Sequence, residues 1–122
     1  MLSADKDWDY WNYENFIYEL PGKWEMSFYL EVNDVIIGYC INSIKQNCVW
    51  LHHIIISKKY RGIGIGNIML DELIRRTMEK TQFRRIGLKV GVDNQPAQGF
   101  YNKAGFEIEK TEKEYLTMMK NF

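Results

Sequence analysis

Cysteine, proline and histidine each occur only twice in this 122-residue chain, sixteen acidic side chains cancel sixteen basic ones, and no stretch of eighteen apolar residues exists. Each scarcity closes off a class. Cys40 and Cys48 form no CxxC pair and have no histidine cluster at metal-ligand spacing, so no metal site is expected and both read as buried, reduced thiols. With prolines only at Pro21 and Pro96 and no glycine- or serine-rich tract, nothing divides the chain, and residues 1–122 are expected to form one domain. A zero net charge supplies no global field for nucleic acid or an anionic membrane, so any anion site must be local. The apolar runs are too short for a membrane span. The first residues carry Asp5, Lys6, Asp7 and Asp9 where a signal peptide would need an apolar core. A cytoplasmic location is the expectation.

What is present is periodic. Trp8, Trp11, Phe16, Ile17 and Leu20 recur at helical spacing before Pro21-Gly22 stops the segment. Residues 23–32 alternate, with Trp24, Met26, Phe28, Leu30 and Val32 on one face, and Asn33-Asp34 turns the chain into residues 35–43 as a hairpin. Residues 47–57, rich in β-branched side chains, predict a largely buried third strand, and the three strands an antiparallel meander. Ile65, Ile68, Met69, Leu70, Leu73, Ile74 and Met78 then mark a helix over 64–81. A strand over 85–92 follows, then a short helix opening at Asn94-Gln95-Pro96 with the stripe Ala97, Phe100, Tyr101 and Ala104, ended by Gly105. Residues 106–122 read as two strands around a turn near 112–114. The sum is a mixed α/β (α+β) fold. Its strand 47–57, helix 64–81 and strand 85–92 make a βαβ unit whose two strands must run parallel. An exposed C-terminal strand is expected to be able to pair across a homodimer.

The chemistry should lie in that unit. Arg61-Gly62-Ile63-Gly64-Ile65-Gly66 joins a buried strand to an amphipathic helix, which puts its backbone N–H groups at the positive end of the helix dipole. Glycines suit a loop that a diphosphate must approach closely, because a Cβ at Gly64 or Gly66 would hold the anion off. Arg61 adds a charged donor, and Lys58 and Lys59 raise the local potential. A Walker loop would need Gly-Lys-Ser/Thr where this chain has Gly66-Asn67-Ile68. A dinucleotide fold would want its glycines after the first strand and an acidic residue about twenty positions on, yet residues 84–86 are Arg-Arg-Ile.

The motif Arg61-x-x-Gly64-x-Gly66 resembles the acetyl-CoA signature of the GNAT superfamily of N-acetyltransferases, and it stands between the same strand and helix. A second block, Leu88-x-Val90, Asn94, Ala97, Tyr101 and Gly105-Phe106, is similar to that family's downstream motif. The resemblance covers roughly residues 24–122. It implies a mostly antiparallel sheet with a central parallel wedge, acetyl-CoA as cosubstrate, and an amine acceptor, either a small molecule or a protein amino group. It further implies that residues 61–66 hold the diphosphate and that backbone groups of Ile54, Ile55 and Ile56 meet the pantetheine arm and the thioester carbonyl. By the same resemblance Asn94 contacts the arm, and Tyr101 serves as acid toward the departing thiolate.

An attacking amine must lose a proton, and His52 on the strand bordering the thioester is the candidate base, with water as the other. Alternation places His52 with Trp50 and Ile54, and His53 on the opposite face. One departure stands out. Family members begin with a strand and two helices, whereas about twenty-two residues precede Lys23 here, so the first strand and one helix are expected to be missing. The aromatic residues Trp8, Tyr10, Trp11, Tyr13 and Tyr18 are candidates to line the acceptor pocket in their place, with simple covering of the sheet as the other reading. That shortening keeps open a non-catalytic CoA-binding or interaction module of the same fold.

Overall fold

The computed structural model describes residues 26–122. The expected N-terminal helix, the aromatic residues ahead of Lys23 and the question of a missing first strand lie outside them. Six strands, β1 (Phe28–Val32), β2 (Val35–Lys45), β3 (Cys48–Ile56), β4 (Arg85–Gly91), β5 (Glu107–Thr111) and β6 (Tyr115–Asn121), form one sheet in the order β1-β2-β3-β4-β6-β5. All neighbours are antiparallel except β3 and β4, which the helix α1 (Ile65–Lys80) connects as a parallel pair. A second helix, α2 (Gln95–Lys103), follows β4. The expected meander, βαβ unit and terminal hairpin are all present, with boundaries within about two residues of those predicted from periodicity, except that the first strand, expected from Lys23, begins at Phe28, and residues 23–25 lie outside the described ones.

The turns explain why the strands end where they do. Asn33 and Asp34, then Gln46 and Asn47, all take positive φ, which the tight turns of the first two hairpins require and which Asn tolerates best. Gly105, at φ 98°, ends α2 in the left-handed conformation expected of it.

Both helices pack on one face of the sheet. Met69, Leu70 and Leu73 of α1 are buried with Val49, Leu51, Ile86, Leu88 and Met118, while Ala97, Phe100, Tyr101 and Ala104 of α2 close over the same core. Ile68 and Met78 belong to the apolar stripe of α1 by spacing but remain about half exposed, because the stripe is wider than the sheet face it meets. A smaller buried cluster, Tyr39, Ile41 and Ile55, lies on the opposite face.

Two corrections concern strands. The C-terminal strand β6 is interior, flanked by β4 and β5, so it offers no edge for pairing with a second copy. The edge on that side is β5, fully exposed and carrying Glu107, Glu109 and Lys110, a charged pattern that discourages strand addition. The second correction is a β-bulge in β3. Ile41 pairs with His53 and Asn42 with Leu51, which leaves His52 as an extra residue. Its effect is visible in the core: Val49, Leu51, Ile54 and Ile56 all face the helices, so the period-two rhythm slips by one residue at His52.

Candidate active site

The parallel ladder of β3 and β4 is short. It pairs Val49 with Ile86, Trp50 with Gly87 and Leu51 with Leu88, and stops. Beyond it His52–Ile56 of β3 and Lys89–Gly91 of β4 have no ladder contact with each other, so the strands diverge and a slot opens in the sheet. Antiparallel alternation settles which backbone groups line it. The Ser57 amide donates to the Ile37 carbonyl at 2.7 Å, so Ile55 also turns toward β2, and Ile54 and Ile56 turn their N–H and C=O groups toward the slot. Ile55 is thereby corrected from the expected set: its backbone is spent on the sheet. The Ile56 carbonyl accepts from Arg61 Nε at 3.0 Å, which leaves both backbone groups of Ile54 and the amide of Ile56 facing the slot.

The glycine loop sits at the slot's end. A short 3-10 turn, Lys58–Tyr60, leads into it, and Gly64 caps α1 with φ 92°. The first helical bond runs from the Ile68 amide to the Gly64 carbonyl, and among the described residues no amide from Gly62 to Asn67 donates to another backbone carbonyl outside the helix. Gly62, Ile63 and Gly64 are exposed, and a Cβ built on Gly62 or Gly64 would meet nothing within 4 Å. Those amides therefore form an open donor array at a helix start, the chemistry a diphosphate needs. Gly66 has a different reason to be glycine. A Cβ there would fall 2.9 Å from Phe100 Cζ, so its smallness lets α2 pack against the start of α1 rather than admitting a ligand.

Tyr101 lies on α2, mostly buried, with its ring edge-on to Phe100 at 5.2 Å and Phe106 at 5.6 Å between centroids. Burial, with a smaller contribution from nearby Cys40, pushes its hydroxyl up to about 12, so the proton stays on at any working pH. Asn94 caps α2 by accepting from the Ala97 amide at 3.2 Å. His52 Nε2 lies 2.6 Å from Ser43 Oγ on β2. Because of the bulge, His52 and His53 share the sheet face of Ile41 and Ser43, away from the helices, instead of pointing to opposite sides.

Periodicity missed a second group on that face of the sheet. Lys89 is the first β4 residue beyond the ladder, and its ammonium sits 4.7 Å from the Tyr115 ring centroid and 3.4 Å from Tyr115 Oη. It lines a groove with Trp50, Cys48, Thr117 and Met119. The basic residue beside Val90 in the downstream motif was the available signal, but its partner lies twenty-six positions away.

Cys40, fully buried, has its thiol pushed up to about 12 by burial, with Asn42 Oδ1 3.4 Å away pulling the other way. The unfolded chain would lose these protons near the ordinary values of 9.0 for the thiol and 10.0 for the phenol, whereas the folded chain keeps them to about 12. Both contributions are present below pH 9 and are lost as pH rises toward 12. Denaturant midpoints should hold between pH 7 and 8.5 and fall above pH 9, less steeply in Cys40→Ala. Equal slopes for the two proteins would refute the Cys40 part.

Among the described residues no cluster of three metal-ligating side chains occurs and no helix is long and apolar enough to cross a membrane. The model of the acetyltransferase (GNAT) family matches residues 2–106. A Bacillus subtilis relative named for alanine N-acetyltransfer on ribosomal protein bS18 is 31% identical over 108 residues, 88% of this chain and 71% of the relative. An uncharacterized N-acetyltransferase of Methanocaldococcus jannaschii is 31% identical over 76% of this chain and only 44% of its own length. Among solved structures, the PaiA N-acetyltransferase of Thermoplasma acidophilum in complex with coenzyme A superposes with a TM-score of 0.72 at 25% identity, over 79% of this chain and 60% of that one. Arabidopsis thaliana Naa50 with a CoA-peptide bisubstrate analogue gives 0.66 at 27%, over 80% and 74%.

Proposed function

The chain belongs to the GNAT family of acetyltransferases, and from that premise we propose that it transfers the acetyl group of acetyl-CoA to a primary amine by direct attack in a ternary complex. The observation that carries the reading is the coincidence of two features at one place: amides from Gly62 to Asn67 that donate to no backbone carbonyl among the described residues, and a sheet that opens beyond Leu51 and Leu88. The amides and Arg61 hold the diphosphate, and the slot takes the pantetheine arm. Nothing built on Gly64 would be obstructed by protein, so the space beside it is open to that anion.

Within this reading the Ile54 amide is the donor best placed for the thioester oxygen, an interaction worth ~3 kcal/mol when it strengthens in the transition state. Tyr101 faces the departing sulfur. A phenol held at about 12 is a weaker acid than a thiol of ordinary pKa near ~8.5, so full proton transfer to the thiolate runs uphill. Its work is hydrogen-bond donation to the developing charge, with solvent supplying the final proton. His52 accepts the amine's proton directly or through water, while Ser43 holds its Nε2 and orients the ring. Asn94 fixes the start of α2 and so the position of Tyr101. Cys40 is buried and its thiol strongly protonated, so a covalent acetyl-enzyme through it is disfavoured.

Acetyl-CoA should raise the melting temperature, and amines should elicit thiol release. Substituting His52→Ala should reduce the rate more at pH 7 than at pH 9, where free amine becomes abundant. Absence of any stabilisation by acetyl-CoA, CoA or their analogues would end the proposal, and a uniform effect of His52→Ala across pH would remove that residue from proton transfer.

A further inference from the structure

The groove beside Lys89 and Trp50 also says something about the acceptor, and this inference rests on the acetyl-transfer reading above. Its charged side chains are largely accounted for. Arg85 pairs with Glu109 at 2.8 Å and Lys110 with Glu112 at 3.3 Å. Among the described residues Lys89 has no carboxylate within ion-pair distance. Glu112 is held below the usual carboxylate range first by Lys110, with Lys89 contributing least. Lys89 is nevertheless not a loose surface lysine, because its ammonium is seated on the Tyr115 ring face and bonded to Tyr115 Oη. An ammonium has three donors, and Tyr115 Oη occupies one. The others are available to the groove that Trp50 and Thr117 share with it.

Its position matters as much as its charge. Lys89 follows Leu88, the last residue of the parallel ladder, so it stands where β4 leaves β3 and the slot begins. Among the described residues both helices pack on the other face, and on this one Lys89 is exposed and Trp50 partly so. A fixed cation at that point repels an acceptor whose only charge is its ammonium, and it attracts one that also bears an anion. We infer that Lys89 is a specificity-determining residue that anchors a carboxylate carried by the acceptor amine, so that the preferred substrate class is a small amino carboxylate. The ammonium of Lys89 binds the carboxylate by a charge-assisted hydrogen bond.

The test is a matched series of an α-amino acid, its carboxamide and its decarboxylated amine, followed by thiol release from acetyl-CoA. The amino acid should be the best substrate, and Lys89→Met should lower its kcat/KM by about 10- to 100-fold, mainly through KM. The same substitution should leave the decarboxylated amine unchanged or improved, and Lys89→Arg should retain the preference. Titration of the series into CoA-loaded protein gives a readout independent of turnover: wild type should bind the amino acid more tightly than its two analogues, and Lys89→Met should erase the difference. Equal binding of all three compounds by wild type, or an equal loss for all three in Lys89→Met, overturns the assignment. A protein that binds the amino acid selectively but releases no thiol keeps the anchor and counts only against acetyl transfer.

Discussion

Tyr101→Phe should lower turnover by ~100-fold while leaving acetyl-CoA affinity and the melting temperature unchanged, because the substitution removes one oxygen from a ring whose packing is otherwise kept. The edge-on contacts with Phe100 and Phe106 involve the ring alone. The expected loss sits at the lower end of the range for a general acid, since a hydroxyl held at about 12 donates a hydrogen bond without surrendering its proton to a less basic thiolate. Single-turnover acetyl transfer measured beside equilibrium binding checks the split. Turnover within about twofold of wild type would remove Tyr101 from the reaction and return it to the core.

Gly64→Val should abolish most of the stabilisation by acetyl-CoA, with affinity falling more than ~10-fold, or more than ~1.4 kcal/mol. Two effects act together. At φ 92° a β-branched residue is strained by roughly 1–2 kcal/mol, and its side chain enters the open space beside the free amides of residues 62–67. Wild type at a hundredfold excess of ligand over its dissociation constant should gain ~2.7 kcal/mol, so thermal shift resolves the loss. The neighbouring Gly66→Ala should behave oppositely. Its new Cβ presses on the Phe100 ring, so the ligand-free protein should melt lower while the ligand-dependent shift largely survives. If Gly64→Val responds to acetyl-CoA as wild type does, the loop does not hold the diphosphate.

The loop and the slot were legible from residue order, yet each for a limited reason. Alternation, helical spacing and turn residues are local signals, and here they agreed with one another along residues 28–121, so the elements and their order could be read directly. The chemistry of Gly64 was likewise local, because a left-handed cap at a helix start needs no distant neighbour. His52 does share the face of Trp50, but His53 and Ile54 were misplaced because strict alternation assumes an unbroken ladder. Whether β3 carries a bulge is decided by its register with β2, and nothing within residues 48–56 announces it.

By itself, then, the order of side chains determined the elements and their order, the two N-terminal hairpin turns, that β3 and β4 run parallel, and that a glycine loop at a helix start stands between them, since periodicity and backbone preference act over a few residues. Tertiary structure alone decided that Ile54 and not Ile55 turns its backbone to the slot, that Gly66 serves Phe100, that β6 is interior, and that Lys89 rests on Tyr115. The physical reason is common to all four. Each depends on which strand or helix lies alongside, and contacts between residues far apart in the chain exist only once the sheet has assembled.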